Sequence, residues 1–110
     1  MSKKNKKRYN KVRVLLIEGR ARQVMPLMES LHKIGCHVTT YNTSKLDMGY
    51  SSRYPDKKIL SYCDAKDPEG SWKAISKELK TKQYDLVIPL NDFVAIILSQ
   101  HKEELKPYVA

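Results

Sequence analysis

The stretch Lys11-Val-Arg-Val-Leu-Leu-Ile-Glu-Gly-Arg-Ala-Arg-Gln-Val-Met-Pro-Leu-Met-Glu-Ser-Leu-His-Lys-Ile-Gly35 decides how the rest of the chain is read. It opens with Val12, Val14, Leu15, Leu16 and Ile17, a short apolar run rich in β-branched residues, as in a strand buried on both faces. After Glu18-Gly19-Arg20-Ala21-Arg22, apolar residues return at Val24, Leu27, Met28, Leu31 and Ile34. Steps of three and four put them on one side of a helix. Pro26 belongs in the first turn, where its missing N–H has no intrahelical partner, so the helix is expected to begin around Ala21 to Gln23. Gly35 supplies the stop. Strand, glycine turn and helix make the first half of a βαβ unit, and Val38 to Tyr41 follows at once as the second strand.

Downstream the same plan repeats. Asn42 to Asp56 has no sustained period and is rich in Ser, Thr, Gly and Pro. It reads as a long loop beside the strand ends, and loops of that length tend to be functional. Lys57 to Tyr62 reads as a third strand centred on Ile59 and Leu60. Cys63 to Gly70 reads as turn, with Asp67-Pro68 and Gly70 as breakers. Ser71 is the expected N-cap of a helix from Trp72 to about Lys82, with Trp72, Ile75 and Leu79 as its apolar face. Tyr84 to Leu90 is the fourth strand, closed by Pro89. Asn91-Asp92 then caps a last helix that carries Phe93, Val94, Ile96, Ile97 and Leu98 and turns polar from Ser99 to Glu104. The predicted fold is α/β: a Rossmann-like open parallel sheet of four strands in the order 3-2-1-4, the first strand internal, with helices on both faces.

The chain is long enough for one domain, residues 11–110, preceded by a basic tail, residues 1–10. The net charge of +9 is unevenly placed, because Lys3, Lys4, Lys6, Lys7, Arg8 and Lys11 stand together with no acid among them. Without them fifteen basic residues face twelve acidic ones, a net of +3 for the body. Such a tail can bind phosphate backbones nonspecifically. No nucleic-acid module follows it, so a solvated, disordered leader is expected and nucleic acid is not the expected partner. Cys36 and Cys63 are too few and too isolated for a disulfide framework and read as buried thiols of a reducing compartment. No run approaches membrane-spanning length and no signal pattern opens the chain, so a cytoplasmic protein without a membrane partner is expected.

In open parallel sheets, ligands bind outside the C-terminal strand ends, near the point where strand order reverses. Four clusters fall at that edge: Glu18 to Arg22, Asn42 to Lys45, Cys63-Asp64, and Pro89 to Asp92. The first lies at a helix N-terminus, which attracts anions, and Arg20 and Arg22 would reinforce that. A merely solvated role for both arginines stays open. A dinucleotide turn would read Gly-x-Gly-x-x-Gly, yet only Gly19 is present, and no acid ends the second strand to hold a ribose. No dinucleotide cofactor is expected. His32, Cys36 and His37 resemble metal ligands only superficially, and His101 reads as a solvated helix-end residue, so no metal site and no catalytic residue is assigned. A receiver-type phosphorylation domain would use Asp64 as acceptor, but Glu18 is a single acid where a pair is needed. A fifth strand, to carry the phosphate-contacting lysine, is also missing.

Three segments carry a resemblance: Ile-Glu-Gly-Arg-Ala-Arg-Gln-x-x-Pro-Leu-x-x-x-Leu-x-x-x-Gly-x-x-Val (17–38), Ser-Arg-Tyr-Pro-Asp (52–56) and Asp-Leu-Val-Ile-Pro-Leu-Asn-Asp (85–92). Together they resemble the N-terminal pre-ATP-grasp domain of ATP-grasp ligases, in the branch that is carbamoyl-phosphate-synthase-like or joins carboxylates to amines. The similarity spans roughly residues 11 to 108; the lysine tail is outside it. The resemblance implies an enzyme that activates a carboxylate with ATP and Mg²⁺ to an acyl phosphate, which an amine then attacks. It places the nucleotide on later subdomains, so this chain would need an ATP-grasp domain in cis or in trans and be inactive alone. The N-terminal domain would contribute to a small-molecule acceptor site. By position the candidates are Gly19, Arg20 and Arg22 in the first turn, Ser52 and Arg53 in the long loop, and Asn91 and Asp92 after the fourth strand. Helix capping is an equally good role for Asn91 and Asp92. A stand-alone ligand-binding or receiver-like signalling domain is the alternative, and homodimerisation is left open.

The tail offers only Met1 and Tyr9 with which to dock on the body. Removing residues 1–10 should therefore leave the melting temperature nearly unchanged, and a fall of many degrees in a thermal melt would contradict the leader reading.

Overall fold

In the computed structural model, which describes residues 12–17, 24–81 and 84–108, strand β1 (Arg13–Ile17) lies inside the sheet. Strands β2 (His37–Asn42) and β4 (Leu86–Pro89) flank it, and β3 (Lys57–Leu60) pairs with β2. All pairings are parallel and the order is β3-β2-β1-β4, as the alternation of apolar runs predicts. The register sets Arg13 opposite His37 and Val14 opposite Leu86. The helices are α1 (Val24–Lys33), α2 (Met48–Ser51), α3 (Pro68–Leu79), α4 (Asp92–Gln100) and α5 (Lys102–Leu105). No helix among the described residues is long and apolar enough to cross a membrane.

Side chains alternate across a strand, so the two parities of β1 serve two separate cores. Leu15 and Ile17 pack with Tyr41, Ile75, Leu79, Tyr84, Val94 and Leu105, beneath α3, α4 and α5. Val14 and Leu16 pack with Val24, Met28, Cys36 and Val38, beneath α1. All four residues of β1 from Val14 to Ile17 are at most 1% exposed. Each such side chain stabilises the fold by about 1.5–3 kcal/mol relative to an exposed one. Gly35 ends α1 with φ 87°, the left-handed conformation that a side chain would strain, and Cys36 N–H then donates to Leu31 O at 3.0 Å.

Several boundaries differ from the sequence expectation. The N-cap of α3 is Asp67, four residues before Ser71, and the helix ends at Leu79. Asp67 Oδ1 accepts from Gly70 N–H at 3.0 Å, and Pro68 sits in the first turn, where it needs no donor. The Asp-Pro step read as a breaker is thus the helix start. A Cβ at Gly70 would have to displace the capping Asp67 carboxylate. Ser71 is buried, and its hydroxyl instead clamps the preceding turn, accepting from Asp64 N–H at 2.8 Å and donating to Asp64 O at 3.0 Å. The last helix divides at His101 into α4 and α5. The long 42–56 segment contains the short helix α2. Cys36 is buried, which pushes its thiol pKa up, whereas Cys63 is only half-buried. Tyr84 donates to Glu78 Oε2 at 2.5 Å, and burial together with this bond pushes the phenol above its ordinary range.

Just ahead of β4, Asp85 locks the start of the β1–β4 pair. Its Oδ2 accepts from Arg13 N–H at 2.8 Å and Nε at 3.2 Å, its Oδ1 lies 3.2 Å from an Arg13 terminal nitrogen, and its own N–H donates to Arg13 O at 2.8 Å. The Arg13 side chain first, and its backbone N–H second, hold the Asp85 carboxyl below the ordinary range. A carboxyl lowered by folding stabilises the native state above its unfolded pKa of about 4, and that stabilisation is lost as pH falls through the folded value. Asp85→Asn should therefore lower the melting temperature near neutral pH, and its difference from the unsubstituted protein should shrink toward about pH 2. Melts across that range check it; a pH-independent difference would show that the charge contributes nothing.

Candidate functional site

The strand ends of β1 and β4 lie side by side, and the chain leaves them toward opposite faces of the sheet. Helix α1 packs on the Val14–Leu16 face, while α4, which follows β4, packs on the Leu15–Ile17 face. Leu90 N–H donates to Ile17 O at 3.1 Å, holding the two ends together. In open parallel sheets such a divergence marks the edge at which ligands bind. Gly19, Arg20 and Arg22, the candidates that follow β1, lie outside the described residues. Asn91 and Asp92 follow β4 at this edge. Asn91 has extended backbone (φ −144°, ψ 165°), and its Oδ1 accepts from Val94 N–H at 2.8 Å, so it caps α4. Asp92 is exposed in the first turn of α4, where its charge complements the positive end of the helix dipole.

Next along the edge is the end of β2, where Asn42 is fully buried. Its Nδ2 faces Thr40 Oγ1 at 3.0 Å, Ile59 O at 3.1 Å and Thr40 O at 3.2 Å. Those acceptors fix the amide's orientation, and Oδ1 has no hydrogen-bond partner among the described residues. Asp47 then turns inward, 7% exposed, with Oδ2 accepting from Thr43 N–H at 3.0 Å and Ser44 N–H at 3.3 Å. Two backbone donors that could have met a ligand anion are thus occupied by the protein's own carboxylate. Thr40 Oγ1 donates to Gly49 O at 2.6 Å and seats α2 over β2.

At the end of β3, Ser61 N–H donates to Asn42 O at 2.8 Å and the buried Tyr41 hydroxyl donates to Tyr62 O at 2.6 Å. Tyr62 in turn donates to Asp67 Oδ2 at 3.0 Å, and that bond, foremost, raises its phenol pKa. Asp64 Oδ1 accepts from Lys66 N–H at 2.9 Å, a local turn contact.

Ser52 and Arg53 do not join this edge. The residue that follows them, Tyr54, lies against His32 in the last turn of α1, with ring centres 5.8 Å apart. Two residues later Asp56 exchanges hydrogen bonds with Val38, near the start of β2, at 2.8 Å in each direction. Only the first part of the long segment, 42–47, stays at the C-terminal edge; the rest returns to the opposite one, because β3 must begin there to run parallel. Ser52 Oγ accepts from Tyr54 N–H at 3.2 Å, and Arg53 is exposed. The sequence places Asn42 at this edge without making it a candidate site residue, and it passes over Asp47. An amide closing the second strand was the available signal for Asn42.

No family model, no curated protein and no solved structure matches the chain. Capping by Asn91 is open to a direct check. Asn91→Ala should cost about 1 kcal/mol and lower the melting temperature by roughly 4–8 °C, while Asn91→Asp, a comparable cap, should restore most of it. Equal melting temperatures for all three proteins would remove the capping role.

Proposed function

We propose that this chain is the N-terminal module of an ATP-grasp carboxylate–amine ligase, contributing the acceptor-substrate side of a site completed by an ATP-grasp module. The observation that carries the reading is the divergence at β1 and β4. Ile17, which opens the first segment of the resemblance, lies opposite Pro89 of the 85–92 segment at neighbouring strand ends, where an open α/β sheet binds small molecules. The Ser-Arg-Tyr-Pro-Asp segment lends less support, since its residues turn toward the opposite edge.

The described residues of this edge do not fit Mg²⁺·ATP. Of the polar side chains there, Asp47 and Asn91 already serve backbone N–H groups, and Asp92 is a lone exposed carboxylate. No group of three potential metal ligands occurs among the described residues. In this reading the nucleotide belongs to the partner module, as the resemblance implies, and this chain's part is to bind and orient the acceptor. Asp92 offers a carboxylate to an amine, and the arginines of the first turn offer donors to an anionic group.

The chain alone should not hydrolyse ATP, and ligase activity should appear only when an ATP-grasp module is supplied in cis or in trans. In the reconstituted enzyme, Asp92→Ala and Arg20→Ala should lower kcat/KM for the acceptor by about 10–100-fold, the worth of one charge-assisted hydrogen bond. ATP affinity should stay nearly unchanged. Loss of ATP binding in these variants would overturn the assignment of the edge, and ATP turnover by the chain alone would overturn the whole reading.

A further inference from the structure

Charge is divided unequally along the chain. Residues 1–60 hold fourteen basic and four acidic residues, a net of +10, and residues 61–110 hold seven basic and eight acidic ones, a net of −1. Such asymmetry between halves points to an anionic partner. The fold turns the division in sequence into a division in space. Helix α1 packs on Val14 and Leu16, and Thr40 seats α2 over β2 beside α1, so both helices cover one face of the sheet. Helices α3, α4 and α5, all from the second half, cover the other.

On the α1–α2 face the acids are engaged within the chain. Glu29 pairs with Lys33 at 3.7 Å, Asp47 is buried against Thr43 and Ser44 N–H, and Asp56, though exposed, accepts from Val38 N–H. Lys45, Arg53 and Lys58 are exposed and stand in no ion pair among the described residues. Lys58 lies over the Tyr50 ring, 5.7 Å from its centre, and Tyr54 follows Arg53, so tyrosines are interleaved with these cations. On the opposite face Glu104 and Glu103 hold Lys80 and Lys106 at 2.8 and 2.9 Å.

The six cations from Lys3 to Lys11 lie outside the described residues, but the point where the chain enters the sheet is fixed. Val12 O accepts from His37 N–H at 2.9 Å, beside the start of β2. The segment that carries Arg53 returns to this same edge, where Asp56 meets Val38. The tail thus departs from the border of the positive face and adds its charge there.

Three kinds of anionic partner are conceivable. A lipid surface needs apolar side chains to insert as well as charge. The chain's one tryptophan and one phenylalanine, Trp72 and Phe93, pack against the opposite core, and the α1–α2 face offers Ile34 and Leu46 at opposite edges of the sheet, not a contiguous patch. An acidic protein would use the cations but not the tyrosines among them. Nucleic acid uses both, phosphates against the cations and bases against aromatic rings.

We propose that the α1–α2 face, with the lysine-rich tail, binds single-stranded nucleic acid through its phosphate backbone, without reading base sequence. A recognition module is needed to read bases, not to hold a backbone, so its absence from the sequence does not oppose this. The inference does not rest on the ligase reading.

The test is a titration of the full chain against a fluorescein-labelled oligouridylate over a series of salt concentrations. With six cations from the tail and three from the face, the logarithm of the association constant should fall against that of salt with a slope of about −6, a loss of about 10³–10⁴-fold between roughly 50 and 200 mM. Removing residues 1–10 should flatten the slope by about 3.5, and K45Q/R53Q/K58Q by about 2. K66Q/K73Q/K77Q, which alters three exposed lysines of the opposite half, should leave it unchanged. Equal flattening by the two triple variants, or none from K45Q/R53Q/K58Q, would overturn the assignment of the face. Equal affinity for polyglutamate of the same length, or tighter binding to vesicles of phosphatidylcholine and phosphatidylserine, would overturn nucleic acid as the partner.

Discussion

The fold depends on burying β1 on both faces at once. A strand in that position needs an apolar side chain at every residue, and its main-chain groups must be paired on both sides, because neither face nor edge meets water. Val14 to Ile17 satisfy the first condition, and β2 and β4 satisfy the second. The rest follows from these two demands. Parallel neighbours require crossovers, and the crossovers must supply apolar helix faces on both sides: Val24 and Met28 on one, Ile75, Leu79 and Val94 on the other. With β1 internal, the helix that follows it and the helix that follows β4 lie on opposite faces, the arrangement that marks the ligand edge of an open sheet.

Much of the polar chemistry near the strand ends serves the chain itself. Asp47, Asp64, Asp67 and Asn91 each accept from backbone N–H groups in turns or caps, and Asp56 from Val38 N–H in β2. Such bonds contribute only about 0.5–1.5 kcal/mol each, but leaving a buried donor unmet costs about 1–3 kcal/mol, so they fix loop paths more than they add stability. Asn42 is the exception. Its amide nitrogen is surrounded by acceptors while its oxygen is buried without a partner among the described residues. A hydrogen-bond donor that reached this oxygen would remove that penalty.

What could be read from the sequence tracks which residues are under a packing constraint. The strands and their order were legible because two-face burial leaves no freedom at Leu15 or Leu16. The α3 start was not, since Asp67-Pro68 is compatible with both a turn and a cap plus first turn; the choice depends on the tertiary contact between Ser71 and Asp64. The path of the 42–56 segment was invisible for a related reason. Composition marks it as loop, but the return to the opposite edge follows from the parallel register of β3 and is secured by Asp56 against Val38. Of the seven candidate site residues, the described part of the chain brings Asn91 and Asp92 to the C-terminal edge of the sheet and takes Ser52 and Arg53 away from it, while Gly19, Arg20 and Arg22 lie outside that part.

Both edges of the sheet are closed to further strands, but by different means, and the difference bears on function. Lysines on β3 keep that edge hydrated, so no apolar partner gains by covering it. On β4 Pro89 limits the outward donors to one, while Leu86, Val87 and Ile88 offer apolar area. An edge that forbids pairing yet retains area excludes indiscriminate association by main-chain hydrogen bonds, and any contact there has to be made by side chains.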